Sequence, residues 1–275
     1  MTWLETSVGV RVKISDRGIA DGPALVLVHG WKGSHRSWDR LSYLLRNEFR
    51  IVSYDLRGMG ESDKPRGTYS FDEMADDLGA VLAKLDIQDA ALVGSSMGCS
   101  VILEYMRRSA ARVARVVLNN GPVMLVKRDD FPWAMPEEQF DGYLNDIEAR
   151  WPLSEWDGLG GEWEELHPAD RISRYLTALQ TPMDVALAVV RQQAKLDHRD
   201  AVRGLKVPVL AAYSTKDPFY PPDLAKWIAS TASRGSFELF YESAHATARE
   251  EPEKFARLIR EFAGVNGDGA WIPAG

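Results

Sequence analysis

The sequence predicts an α/β fold: a mainly parallel central sheet flanked by helices, with a helical cap insertion. Three observations carry this. Short apolar runs alternate with amphipathic stretches along most of the chain. Several runs are apolar at every position, as strands covered by helices on both faces require. The alternation then breaks between about residues 122 and 200, where helical patterns continue without a buried strand.

The first residues, around Ser7–Ile14, are expected to add an antiparallel hairpin at one edge. Ala24–Val28 (ALVLV) reads as the first strong strand, followed by a helix near Ser37–Arg46 and a strand at Arg50–Tyr54. A helix over Phe71–Leu85 leads to a strand at Ala90–Val93, a helix at Met97–Arg108 and a strand at Val113–Leu118. Beyond the insertion come strands at Val207–Tyr213 and Phe237–Tyr241, with a helix near Asp223–Ser230 between them. The last helix, Pro252–Phe262, starts with proline, whose fixed φ and missing N–H suit a first turn. Residues 1–121 and 201–275 are therefore assigned to a core domain, and 122–200 to a cap inserted after the sixth strand. The cap holds helical patterns at Glu137–Arg150 and Pro182–Leu196 and an aromatic-rich middle with Trp133, Trp151, Trp156 and Trp163. Two readings stay open for each tryptophan: packing of the cap's own core, or a wall of a substrate pocket.

Composition removes several classes of function. The 275 residues are 45% hydrophobic, enough for a large core. The net charge of −7 is spread along the chain with no basic patch, which argues against a nucleic-acid partner. No run of about 18 apolar residues exists, so no membrane span is expected. The start, Met1-Thr2-Trp3-Leu4-Glu5, lacks a basic and then apolar leader, and the single cysteine, Cys99, can form no intrachain disulfide. A cytoplasmic location is expected. The five histidines lack a clustered ligand spacing, so neither metal nor cofactor is expected.

The chemistry starts at Gly94-Ser95-Ser96-Met97-Gly98, a G-x-S-x-G run after Leu92-Val93 and before a helical pattern. In that setting Ser96 sits on a strained strand-to-helix turn with its hydroxyl above the sheet. A serine hydroxyl needs a base and a carboxylate to orient that base. His245, after the last strand, is the candidate base, because sites in open α/β sheets lie beyond the strand carboxyl ends. Asp217 follows the strand at Val207–Tyr213 and is the candidate carboxylate, with Glu242 in reserve. The alternative strand end, Asn119-Asn120-Gly121, offers no acid. The N–H groups of Met97 and Trp31 are the candidate oxyanion donors, and the Trp31 ring is expected to wall the pocket. His29 is expected to brace its loop rather than transfer protons.

With these residues assembled, the chain resembles the α/β-hydrolase superfamily over nearly its whole length. Ser96, Asp217 and His245 keep its nucleophile–acid–histidine order. Asp55 to Pro65 is similar to its D-x-R-G-x-G-x-S-D-K-P segment, which implies a shaping loop without chemical duty. His245, Glu250 and Pro252 keep the spacing around its histidine. Within the superfamily the chain looks most like the small serine esterases grouped with cofactor-free haloperoxidases. One departure is Lys32, where those enzymes usually carry proline after His-Gly-Trp; this leaves the perhydrolase activity linked to that proline an open question and ester hydrolysis untouched. A second is Cys99, where a small residue is common; it is expected to pack in a buried helix.

The resulting expectation is a serine hydrolase cleaving a carboxylic ester or lactone, with a small, apolar or aromatic substrate. Two alternatives stay open: a C–C bond hydrolase of ring-cleavage diketones, and a non-hydrolytic lyase, oxygenase or ligand receptor on the same scaffold.

Overall fold

The structure is a computed structural model and describes residues 2–6, 9–67, 69–128, 131–154 and 168–264. Its centre is an eight-stranded sheet in the order β1-β2-β4-β3-β5-β6-β7-β8. β1 (Thr2–Glu5) and β2 (Arg11–Gly18) form the antiparallel edge. β3 (Ala24–Val28), β4 (Arg50–Tyr54), β5 (Ala90–Ser95), β6 (Val113–Asn119), β7 (Val209–Ser214) and β8 (Gly235–Phe240) run parallel. The edge hairpin is shifted from its expected place. Thr6 N–H donates to Val10 O at 2.7 Å and Gly9 stands at φ 75°, and the two strands lie on either side of this contact.

All five side chains of β3 are buried, and they divide by parity. Leu25 and Leu27 join a core layer with Ala91, Val93 and Phe255, whereas Val26 and Val28 join the layer that contains Leu92, Leu78 and Ile102. Period-two alternation thus feeds two cores, which is why the apolar run had to be continuous. Each fully buried Val or Leu contributes roughly 1.5–3 kcal/mol relative to exposure.

The helices follow their sequence signals. A 3-10 turn at His35–Trp38 precedes α1 (Asp39–Leu45), so the single helix expected over 37–46 is split. α2 (Phe71–Lys84) opens with a capping box between Ser70 and Glu73 and buries Phe71, Met74, Leu78 and Val81 on one face. α3 (Met97–Arg108) lies across the middle of the sheet. Between β6 and β7 come α4 (Glu137–Arg150), α5 (Pro168–Ala178), α6 (Met183–Gln193) and α7 (Arg199–Gly204). α4 and α6 share a small core of Phe140, Leu144, Ile147, Leu187 and Val190. α7 straddles residue 200 and packs on α3 and on α8 (Pro222–Thr231). α9 (Thr247–Glu250) and α10 (Pro252–Ala263) are the last of the described elements, and α10 ends at Gly264 in the left-handed region. Among the described residues, no helix is long and apolar enough to cross a membrane.

Candidate active site

β5 is buried from Ala90 to Gly94, and exposure begins at Ser95 and Ser96. Ser96 stands at φ 52°, ψ −121°, a conformation costing a non-glycine residue on the order of 1–3 kcal/mol. The surrounding structure holds it there. Ser96 N–H donates to Asn119 O at 2.9 Å, extending the ladder to β6, and Cys99 N–H donates to Ser96 O at 2.9 Å. Close approach explains the flanking glycines. A Cβ on Gly94 would stand 2.8 Å from both Gly98 C and Cys99 N, and one on Gly98 would stand 2.8 Å from His29 O. Cys99 is the buried helix residue expected, its Sγ 3.2 Å from Gly94 O; burial pushes its thiol pKa far up, so no thiolate competes with Ser96.

The loop after β7 presents Asp217. Its Oδ1 accepts from Phe219 N–H at 2.8 Å and Tyr220 N–H at 3.1 Å, so the turn itself aims the carboxylate. Its Oδ2 lies 2.8 Å from His245 Nδ1, with the aspartate side chain fully buried and the histidine side chain 16% exposed. A donating Nδ1–H leaves Nε2 as the imidazole's acceptor nitrogen. Phe219 meets the His245 ring edge-on at 5.0 Å and Tyr220 lies at 6.0 Å, limiting its rotation. Burial, and then the Asp217 charge, push the Tyr220 phenol well above its usual pKa, so it stays neutral. The reserve candidate Glu242 instead pairs with Lys216 at the surface, 3.1 Å away.

Ser96, His245 and Trp31 line one cavity of about 510 Å³, of a size that takes a small organic molecule. Its floor is the sheet end; α4, α5 and α6 supply Phe140, Thr177 and Val190 to its roof. The Trp31 indole N–H donates to Ala186 O at 3.0 Å, pinning the loop after β3 to α6. Met97 is the first residue of α3, so its N–H has no acceptor within the helix, and the positive end of the helix dipole lies beside Ser96. His29 is fully buried and braces its loop as expected: Nδ1–H donates to Gly30 O at 2.7 Å and Nε2 accepts from Leu56 N–H at 2.9 Å. Burial lowers its pKa, which keeps it neutral.

The Asp55–Pro65 loop is stitched from within. Asp55 Oδ1 accepts from His35 N–H at 2.6 Å, and Oδ2 accepts from Glu61 N–H at 2.7 Å. Burial opposes the Asp55 charge, but the hydrogen bonds from His35 and from the Glu61 N–H help outweigh it, and the pKa is lowered.

The tryptophan expectations divide. Trp31 lines the cavity. Trp133 does not: it meets Phe131 edge-on at 5.2 Å and lies tilted against Trp227 at 6.0 Å beside the main core. Trp151 is also absent from the lining and packs on the α4–α6 core, where apolar area is already gathered. Trp156 and Trp163 lie outside the described residues. Besides Trp31 and Trp38, the aromatic lining comes from Phe140, Tyr143, Phe219 and Tyr220. Sequence reading passed over these, although Phe140, Tyr143 and Ile147 fall on one face of a predicted helix and Phe219-Tyr220 closely follow Asp217. Among the described residues, no three His, Cys, Asp or Glu side chains converge as a metal site requires.

Residues 23–252 match the family model described as the alpha/beta hydrolase fold. The chain belongs to that family. Within it, the chain is 34% identical to a bifunctional esterase/perhydrolase of Acinetobacter calcoaceticus over 95% of this chain and 99% of that one. It is 28% identical to an AB hydrolase superfamily protein of Bacillus subtilis over 95% and 98% of the two chains. An esterase from Exiguobacterium antarcticum superposes with a TM-score of 0.88 at 24% identity, covering 95% of this chain and 98% of that structure. As a family member the chain thus sits among proteins named as esterases and non-heme chloroperoxidases.

Proposed function

We propose that this protein is a serine hydrolase that cleaves a carboxylic ester or lactone of a small apolar or aromatic substrate. One observation carries the reading. A strained serine at the strand-to-helix turn and a histidine hydrogen-bonded to a buried aspartate open into one aromatic-lined cavity. In the proposed reaction His245 Nε2 takes the Ser96 proton as Oγ attacks the substrate carbonyl. Asp217 holds the Nδ1 tautomer and stabilises the imidazolium. The Met97 and Trp31 N–H groups receive the oxyanion, each on the order of 10²–10³ in rate. The imidazolium then protonates the leaving alcohol, and water deacylates Ser96 by the same route. The helices between β6 and β7 act as the cap, with Phe140 and Tyr143 favouring flat apolar groups.

Of the two activities in the name of the Acinetobacter relative, we propose the esterase one. Lys32 adopts φ 54°, which the proline ring, fixed near −65°, cannot reach. The loop after His29-Gly30-Trp31 is therefore built in a backbone form closed to the proline of the perhydrolase-type enzymes.

The test is turnover of p-nitrophenyl butyrate and a panel of aryl esters, lactones and diketones, with Ser96→Ala as control and a fluorophosphonate probe as label. Ester turnover and labelling that both vanish in Ser96→Ala are expected. Equal turnover in both proteins removes Ser96 from the mechanism, and exclusive turnover of short polar esters overturns the aromatic pocket.

A further inference from the structure

Asn120 sits at the carboxyl end of β6, one strand from Ser96, fully buried and at φ 42°, a left-handed conformation that asparagine tolerates better than most residues. Its side chain reaches two other chain segments. Its Oδ1 accepts from Ser214 N–H on β7 at 2.9 Å. Its Nδ2 lies 2.9 Å from His245 O, 3.2 Å from Ala244 O, 2.8 Å from Thr247 Oγ1 and 3.1 Å from Ser214 Oγ. The two segments it joins are those that carry Asp217, three residues past Ser214, and His245 itself.

We propose that Asn120 is a positioning residue for His245: it fixes the histidine's own main chain against the strand that leads to Asp217. The inference rests on the reading of His245 as the base. The Asp217 carboxylate controls the ring's tautomer and rotation, but it does not fix where the ring begins. That is set by the backbone at 244–245, held on one side by Glu250 Oε2, which accepts from Ala244 N–H at 2.6 Å, and on the other by Asn120. The position demands an amide. Two carbonyls need a donor and the Ser214 N–H needs an acceptor, all in a buried site where an unmatched polar group is costly. Aspartate keeps the shape and the acceptor but turns an oxygen toward two carbonyl oxygens, pushing the histidine loop away. A displacement of about 1 Å at a catalytic group costs up to 10²-fold in rate.

The experiment compares wild type with Asn120→Asp, Asn120→Ser, His245→Ala and Val81→Ala, the last a fully buried truncation on α2 that serves as a matched destabilisation. Active sites are counted by fluorophosphonate labelling taken to completion, and kcat and KM for p-nitrophenyl butyrate are expressed per site. Asn120→Asp is expected to lower kcat per site about 10–100-fold with KM within about two-fold, and to slow the labelling rate in parallel. Asn120→Ser, which keeps one short donor, is expected to fall between it and wild type. Val81→Ala is expected to lose thermal stability with kcat per site unchanged. If either foldable Asn120 variant keeps the wild-type kcat per site while His245→Ala is inactive, the positioning role is overturned and the base assignment stands. If His245→Ala keeps its activity, both fall together.

Discussion

Gly94→Ala tests whether the elbow's geometry, rather than the presence of a serine, sets the rate. Gly94 lies in β5, paired with Val28 on one side and Leu118 on the other, so its own backbone cannot retreat without breaking two ladders. The added methyl would stand 2.8 Å from Gly98 C and Cys99 N and 2.9 Å from Gly98 O, all main-chain atoms of the first turn of α3. Carbon contacts relax at about 3.5 Å or beyond, so the helix start must move by roughly 0.7 Å. That movement shifts Ser96 and the Met97 N–H relative to Trp31, whose N–H is the second donor in the proposed reaction. At up to 10² in rate for about 1 Å, kcat should fall roughly 10–100-fold. The overpacking itself should cost about 1–3 kcal/mol, far too little to abolish the fold. The assay is kcat and KM for p-nitrophenyl butyrate, with far-UV circular dichroism to confirm folding and urea denaturation to read stability. A folded Gly94→Ala protein with kcat within about two-fold of wild type would refute the account of why glycine stands there.

Two further predictions concern stability. His198 is buried with Nε2 unpartnered, and burial lowers its pKa to about 4. The unfolded chain binds this proton first as pH falls, because an exposed histidine titrates near 6.5. The histidine's contribution is thus complete above about pH 6.5 and is lost as pH falls through about 4, roughly 3 kcal/mol in all. Urea denaturation of wild type and His198→Gln across pH 7 to 4 should show a steeper loss in wild type, and parallel curves would count against it. Arg57, with its side chain 2% exposed, donates Nε–H to Asp77 Oδ2 at 2.6 Å and Nη2–H to Oδ1 at 2.8 Å, while Asp77 is fully buried. Arg57→Ala strands that carboxylate and should destabilise by about 3–5 kcal/mol. A loss under about 1 kcal/mol in the urea midpoint analysis would show that water reaches Asp77.

Much of the fold was legible because its signals are local. The continuous apolar run of β3, the glycine-flanked serine turn before α3 and the proline opening α10 each act within a few residues, and each appears where its physics requires. The edge hairpin slipped because its turn depends on Gly9 and on a bond from Thr6 to Val10, which strand patterning does not encode. The relation of Asp217 to His245 was readable in part, since both follow strands whose carboxyl ends lie together in a parallel sheet.

The sequence by itself determined the α/β architecture, the strained serine turn and the order of Ser96, Asp217 and His245 along the chain. Strand periodicity and chain direction are sufficient for these, because a parallel sheet brings its strand ends to one edge. Only the tertiary structure decided which aromatic rings face the cavity. Trp133 and Phe140 are equally apolar in one dimension, yet Trp133, in the turn before α4, packs on Trp227, whereas Phe140, on α4 itself, lines the cavity. The same holds for Asn120, which reads as a turn residue in sequence. Its partners, Ser214 and the carbonyls of Ala244 and His245, lie 94 to 125 residues away, and only the assembled sheet brings them within hydrogen-bonding distance.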